Sequence, residues 1–293
     1  MAPRTGQTLA IIGCGTMGSA ILAGVMESCV LSKAAGEEPR ISKFIATVNS
    51  RGSADALRQR FAKYKGWLQV LEKDNISGMK EADIVMLACK PYMAETVLSQ
   101  DGVFELLKGK LVISVLVGSP VEKLEKIIYG KNSPPTEKEI FLKRVMLNIA
   151  AEYGESMSVI EETSFSEEME EVSDWMFLQV GKIAPVAPNL FDIGGLIAGA
   201  SSAYLSLAFD GILDGAVSEG LKRADAKKML TQSLISLAKL LENGEHPAVL
   251  REKYSSPKGT TIAGLLSLEE DRVRYAFSKA IITGSKRSQA IGQ

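Results

Sequence analysis

Along the first half of the chain, short apolar runs alternate with longer amphipathic ones. Thr8–Gly13 (TLAIIG), Lys43–Val48 (KFIATV), Ala82–Cys89 (ADIVMLAC) and Lys110–Gly118 (KLVISVLVG) are too short for typical helices. They are rich in Ile and Val, bounded by Gly, Pro or Asn, and apolar throughout, which suits parallel strands buried on both faces. Arg144–Leu147 is a fifth candidate. The segments between them read as crossover helices, so the pattern predicts a doubly wound α/β fold.

After about Ser164 the strand signal fades. Ser164-Phe165-Ser166-Glu167 has the S-x-x-E form of a capping box and predicts a helix ending near Gly181. Ala203–Gly220, Arg223–Asn243, Thr261–Glu269 and Arg272–Gly284 carry helical periodicity. The expected organisation is a strand-built domain over 1–163 and an all-helical domain over 164–293. Gly211 and Gly215 stand four apart in a long apolar helix, where each costs about 1 kcal/mol against alanine. Such a pair fits close approach of another helix, either within the chain or across a subunit interface. Lys33–Ser42 and Tyr129–Glu139 read as charged surface loops.

The composition, 46% hydrophobic and 24% charged over 293 residues, is that of an ordinary globular protein of two domains. A formal net charge of −1 gives no general attraction to nucleic acid or to an anionic membrane. No run reaches the ~20 apolar residues that span a bilayer, and the start does not read as a secretory signal. Cys14, Cys29 and Cys89 are odd in number and lack metal-binding spacing, which fits a reducing, cytoplasmic setting.

The chemistry begins at IIGCGTMGSAI. Gly13, Gly15 and Gly18 have G-x-G-x-x-G spacing at the first strand–helix junction. There the first glycine makes the turn, the second admits a pyrophosphate and the third brings helix and strand together. Thr16 and Met17, at the helix start, are expected to face the same ligand. A site for NAD would place a carboxylate after the second strand; here the strand ends in Asn49-Ser50-Arg51. Asn49 and Ser50 offer hydrogen bonds and Arg51 a partner for a 2′-phosphate, which predicts NADPH, with NADH also admitted. Ala88, Lys90 and Pro91 follow the strand after that, at the sheet edge where ligands bind. Cys14 reads as a small filler in the glycine turn, and His246, the one histidine, as structural.

The whole chain, from about Leu9 to about Gln289, resembles the pyrroline-5-carboxylate reductase family. The resemblance is carried by IIGCGTMGSAI, IVMLACKP, LVISVLVG, RVMLNIAAEYGESM, VGKIAPV, DGAVSEGL, GEHPAVLREKYSSPKGTTIAGL and AFSKAIITGSKRS. It implies an N-terminal Rossmann domain and a C-terminal all-helical dimerisation domain, hence a homodimer or higher homo-oligomer. It also implies reduction of the C=N bond of 1-pyrroline-5-carboxylate, a small cyclic imino acid, in proline biosynthesis. In the family a Ser-Pro-Gly-Gly-Thr-Thr loop holds the substrate carboxylate with main-chain N–H groups. Here that loop is Ser256, Pro257, Lys258, Gly259, Thr260 and Thr261, with the Thr261 hydroxyl near the imine nitrogen as the catalytic group. Asn148 is carried over as a further substrate contact.

The chain departs from the family pattern near the expected pocket. Ala198 and Ala200 replace two serines, Ser201 and Ser202 replace glycine and proline, and Leu147, Ile149 and Ala150 replace proline, threonine and proline. Lys258 replaces a glycine. A more apolar pocket fits either a substituted pyrroline carboxylate or a cofactor-binding paralogue, impaired in catalysis, that acts as sensor or scaffold. A 3-hydroxyacid dehydrogenase of the 6-phosphogluconate type would need a lysine within Ala203–Leu221, which has none.

Overall fold

The structure is a computed structural model that describes residues 4–130 and 139–292. Eight strands form one sheet: β1 (Gln7–Ile12), β2 (Ile41–Val48), β3 (Leu68–Glu72), β4 (Ile84–Leu87), β5 (Leu111–Ser114), β6 (Phe141–Met146), β7 (Ser156–Glu161) and β8 (Gly181–Val186). Their order is β3-β2-β1-β4-β5-β6-β7-β8. The first six are parallel, β7 is antiparallel to β6, and β8 runs parallel to β7. The strand order reverses between β1 and β4, the place where doubly wound sheets bind ligands.

The helices between the strands are α1 (Thr16–Ala34), α2 (Arg51–Arg60), α3 (Asn75–Glu81), α4 (Ala94–Leu98), α5 (Val103–Leu107), α6 (Val121–Tyr129) and α7 (Glu167–Leu178). The central strands are buried on both faces, as their continuous apolar runs require: Leu9–Ile12 and Ile84–Leu87 are at most 1% exposed. One core lies on each side of the sheet, around Ile11, Ile21 and Phe44 on one face and Ile12, Val85 and Leu87 on the other.

Three strands were not expected from the sequence. β3 alternates half-buried and exposed positions, so it lacks a continuous apolar run. β7 interleaves serines, and β8 carries Pro185, which an outer strand tolerates. The sheet therefore continues beyond 164, and the segment expected to be helical throughout contains β8. The cap of α7 is Ser166 and not Ser164: its Oγ accepts from the Met169 N–H at 3.4 Å. The loop expected over Lys33–Ser42 shrinks to 35–40, because α1 runs on to Ala34 and β2 starts at Ile41. The loop expected over Tyr129–Glu139 lies, apart from its ends, outside the described residues.

The chain divides into two compact units, 1–199 with 285–293, and 200–284, and the division falls within α8 (Phe191–Ser218). The second unit is all helical: the rest of α8, α9 (Arg223–Glu242), α10 (Pro247–Tyr254), α11 (Thr260–Glu270) and most of α12 (Val273–Gly292). His246 caps α10, its Nδ1 accepting from the Ala248 N–H at 3.2 Å, so its role in the chain is structural.

Among the described residues, two helical stretches, Thr16–Ala34 and Pro188–Ser218, are long and apolar enough to cross a membrane by length and composition, which corrects the sequence expectation. In α1 the apolar length is core: Ile21, Leu22, Val25, Met26 and Cys29 are fully buried. In α8 the apolar side chains are largely exposed in the single chain, Leu207 at 77% and Ile212 at 53%. Nothing lies within 4 Å of a Cβ added to Gly211 or Gly215, so no helix of the same chain approaches them among the described residues.

Candidate functional site

The glycine turn after β1 is built from hydrogen bonds to β2. The Gly13 N–H donates to Thr47 Oγ1 at 3.0 Å and the Cys14 N–H to the Thr47 carbonyl at 2.8 Å. The Thr47 hydroxyl in turn donates to Asn75 Oδ1 at 2.7 Å, tying the first turn of α3 to the same point. Gly13 has φ +81°, and a Cβ there would fall 2.5 Å from Cys89, so only glycine fits. A Cβ on Gly18 would press on Ile11 and Ala88, as expected of a helix packed close to its strand. Around Gly15 there is open space for 4 Å.

These bonds decide which donors remain. Gly13, Cys14 and Gly15 spend their N–H groups within the turn, the last on the Gly13 carbonyl at 2.8 Å. The N–H groups of Thr16, Met17 and Gly18 open α1, whose cap residue Gly15 contributes no side chain. An uncapped start of a 19-residue helix, beside a backbone open at Gly15, is a fitting cradle for a pyrophosphate.

The cradle opens into a cleft of about 680 Å³ at the β1/β4 switch. Of the expected residues, Gly13, Gly15, Thr16, Met17, Asn49, Ala88, Lys90 and Pro91 line it. Gly18, packed against Ile11 and Ala88, does not, nor do Ser50 and Arg51, which follow Asn49 in the chain. Ser50 caps α2, its Oγ accepting from the Ser53 N–H at 3.3 Å. The Arg51 side chain is 88% exposed, 3.9 Å from Asp55. Cys14 is the filler the sequence suggested: burial pushes its thiol up to about 12, so it stays protonated and inert.

The far end of the cleft is apolar, lined by Val115, Val117, Met146, Leu147 and Ile149. Asn148, carried over as a substrate contact, is hydrogen-bonded within the chain. Its Oδ1 accepts from the Ala150 N–H at 2.9 Å and its Nδ2 donates to the Ala198 carbonyl at 2.8 Å. The amide thus locks the loop after β6 to the first half of α8 and leaves Leu147 and Ile149 at the cleft.

In the helical unit, the loop 255–259 forms a tight turn, with the Gly259 N–H donating to the Ser256 carbonyl at 2.9 Å. Pro257 and Lys258 occupy its centre, and Lys258 has φ +60°, the left-handed region that glycine favours. A Cβ on Gly259 would fall 2.4 Å from Ser256 Oγ. α11 begins at Thr260 with no capping side chain, so the N–H groups of Thr260, Thr261 and Ile262 are available at an exposed helix start. Thr261 also lines an apolar groove of about 700 Å³ with Leu237, Leu250, Tyr254, Leu265 and Phe277.

Comparison with known proteins bears on both units. A family model described as pyrroline-5-carboxylate reductase dimerisation matches residues 188–291, and one described as NADP oxidoreductase, coenzyme F420-dependent, matches residues 8–118. A pyrroline-5-carboxylate reductase of Lophium arboricola is 37% identical over 98% of this chain and 93% of its own. The chain belongs to the pyrroline-5-carboxylate reductase family. The reductase of Neurospora crassa is 35% identical over 94% of this chain and 90% of its own. Among solved structures, the Plasmodium falciparum pyrroline carboxylate reductase with NADP bound has a TM-score of 0.80 at 23% identity, covering 99% of this chain and all of the other. The dimerisation model covers most of the helical part of the chain and the NADP oxidoreductase model the first five strands of the sheet.

Proposed function

We propose that this protein is an NADPH-dependent reductase of the C=N bond of 1-pyrroline-5-carboxylate, yielding proline, and that it works as a homodimer or higher homo-oligomer in the cytoplasm. The observation that carries the reading is the glycine cradle at the β1/β4 switch, in a chain 37% identical to a pyrroline-5-carboxylate reductase over nearly its whole length.

The residues present fit the cofactor. The N–H groups of Thr16 and Met17 would receive the pyrophosphate, Lys90-Pro91 with the apolar end of the cleft would house the nicotinamide, and the exposed Arg51 would neutralise a 2′-phosphate. When bound, reduced nicotinamide supplies the hydride that the imine carbon requires. The protein's own task is binding and alignment, which explains a site without a dedicated base. The start of α11 holds the substrate carboxylate through the Thr260, Thr261 and Ile262 N–H groups, and the helix dipole favours that charge. The Thr261 hydroxyl holds a proton for the imine nitrogen.

The sensor reading is not favoured, since the relatives that match nearly the whole chain are named pyrroline-5-carboxylate reductases. Three free thiols, two buried and one half-buried, support the reducing compartment. The test is to follow NADPH absorbance with 1-pyrroline-5-carboxylate and with ring-substituted analogues. Turnover of at least one is expected, and Thr261→Val should depress it about a hundredfold or more. Tight NADPH binding without oxidation by any cyclic imine would leave only a sensor.

A further inference from the structure

β2 and β3 run in parallel register, with Val48 opposite Glu72. The Lys73 N–H donates to the Val48 carbonyl at 2.8 Å, so the residue that follows β3 stands beside Asn49, the residue that follows β2. Asn49, Lys73 and Asn75 line a cavity of about 40 Å³ that shares Gly13, Val48, Asn49, Cys89 and Met93 with the main cleft. Lys73 has φ +54°, a left-handed conformation that a Cβ disfavours and glycine would adopt freely. No carboxylate pairs with its ammonium among the described residues. Asp74 beside it turns its carboxylate away into α3, accepting from the Ser77 N–H at 3.0 Å. Glu72 is exposed on the outer strand.

A phosphate monoester carries about −2 at neutral pH, more than one guanidinium compensates. Lys73 stands beside Asn49 through the strand pairing, and Arg51 follows Asn49 by two residues at the start of α2. We propose that Lys73 is a second cation of the 2′-phosphate subsite and helps to select NADPH over NADH, an inference that rests on the cofactor reading above. It explains why a strained backbone is kept at a position that glycine would fill without strain.

The test uses the full chain with Lys73→Gly, Lys73→Gln and Lys73→Arg, titrated by calorimetry with 2′,5′-ADP and 5′-AMP and by fluorescence with NADPH and NADH. The Gly and Gln variants should weaken 2′,5′-ADP and NADPH about tenfold while 5′-AMP and NADH move less than about twofold, and Lys73→Arg should restore the difference. Lys73→Gly should melt no lower than the parent, because glycine accepts φ +54°. Equal weakening of both members of each pair would place Lys73 on the shared adenosine and overturn the proposal. Parent selectivity that survives in all three variants would overturn it too, leaving the cofactor reading intact. A parent chain that binds 2′,5′-ADP no better than 5′-AMP would sink both.

Discussion

At Lys258 a lysine holds φ +60° where the family pattern has glycine. The left-handed region costs a side-chain-bearing residue roughly 1–2 kcal/mol, partly offset by the lower unfolded-state entropy of lysine against glycine. Lys258→Gly should therefore raise stability by a few tenths to about 1 kcal/mol, read as a higher melting temperature. If the ammonium also assists the carboxylate, the KM for the imino acid should rise in the same variant while kcat holds. Arg51, proposed above for the 2′-phosphate, has little packing to lose, since its side chain is 88% exposed. Arg51→Asp should weaken NADPH about tenfold or more and NADH far less. Equal effects on the two cofactors would remove the 2′-phosphate contact. Both residues stand out in the sequence because each breaks a pattern: a lysine in a glycine position, an arginine where a carboxylate was due. Lys73 does not, because its neighbour Asn49 is distant in the chain and only strand pairing joins them.

Between elements, the sheet unit is fastened by charges that the pattern of apolar runs did not announce. Lys143 of β6 is 2% exposed and donates to Glu170 of α7, with Asp174 at 4.0 Å. Arg144, next along β6, makes a two-pronged contact with Glu161 of β7 at 2.8 and 3.0 Å and lies 4.3 Å over the Phe191 ring at the start of α8. Burial opposes the charge of Glu170, but hydrogen bonds from Lys143 and Thr163 win and hold its carboxyl below the ordinary value of 4.5. A lowered folded-state pKa means that the unfolded chain binds the proton more tightly. The stability Glu170 adds is then present above about pH 4.5 and is lost as pH falls through the folded value. Asp174 works in the opposite sense, since burial and then the nearby Glu170 raise its carboxyl. Glu170→Gln tests the larger hydrogen-bonded contribution: urea unfolding from pH 7 to pH 3 should show a shallower acid decline than in the parent. Lys143→Ala should cost about 3 kcal/mol at neutral pH, because it strands a partly buried carboxylate.

For the whole molecule, the two units differ most in what they bury. The sheet unit has two extensive cores, whereas in 200–284 Ala226 and Leu250 are the buried apolar residues. Leu207, Met229 and Leu266 stand 60% or more exposed in the single chain. So little burial cannot offset the ordering entropy of these helices, and a second copy is the partner that the dimerisation model implies. Sedimentation should find at least a dimer, with a melting temperature that rises with protein concentration. Leu207→Asp should shift the population towards monomer and lower the helical signal; an unaffected assembly would place the interface elsewhere.

The sequence by itself determined the parts that depend on neighbours along the chain. The buried parallel strands, the glycine cradle, the missing carboxylate after β2 and the helical character of most of the second half are all local patterns. Only the tertiary structure decided that β3, β7 and β8 join the sheet, since half-buried outer strands need no continuous apolar run. It also decided that Asn148 spends its amide on Ala198, and that Lys73 stands beside Asn49. Pairings across dozens of residues are set by register and packing, which no local spacing encodes.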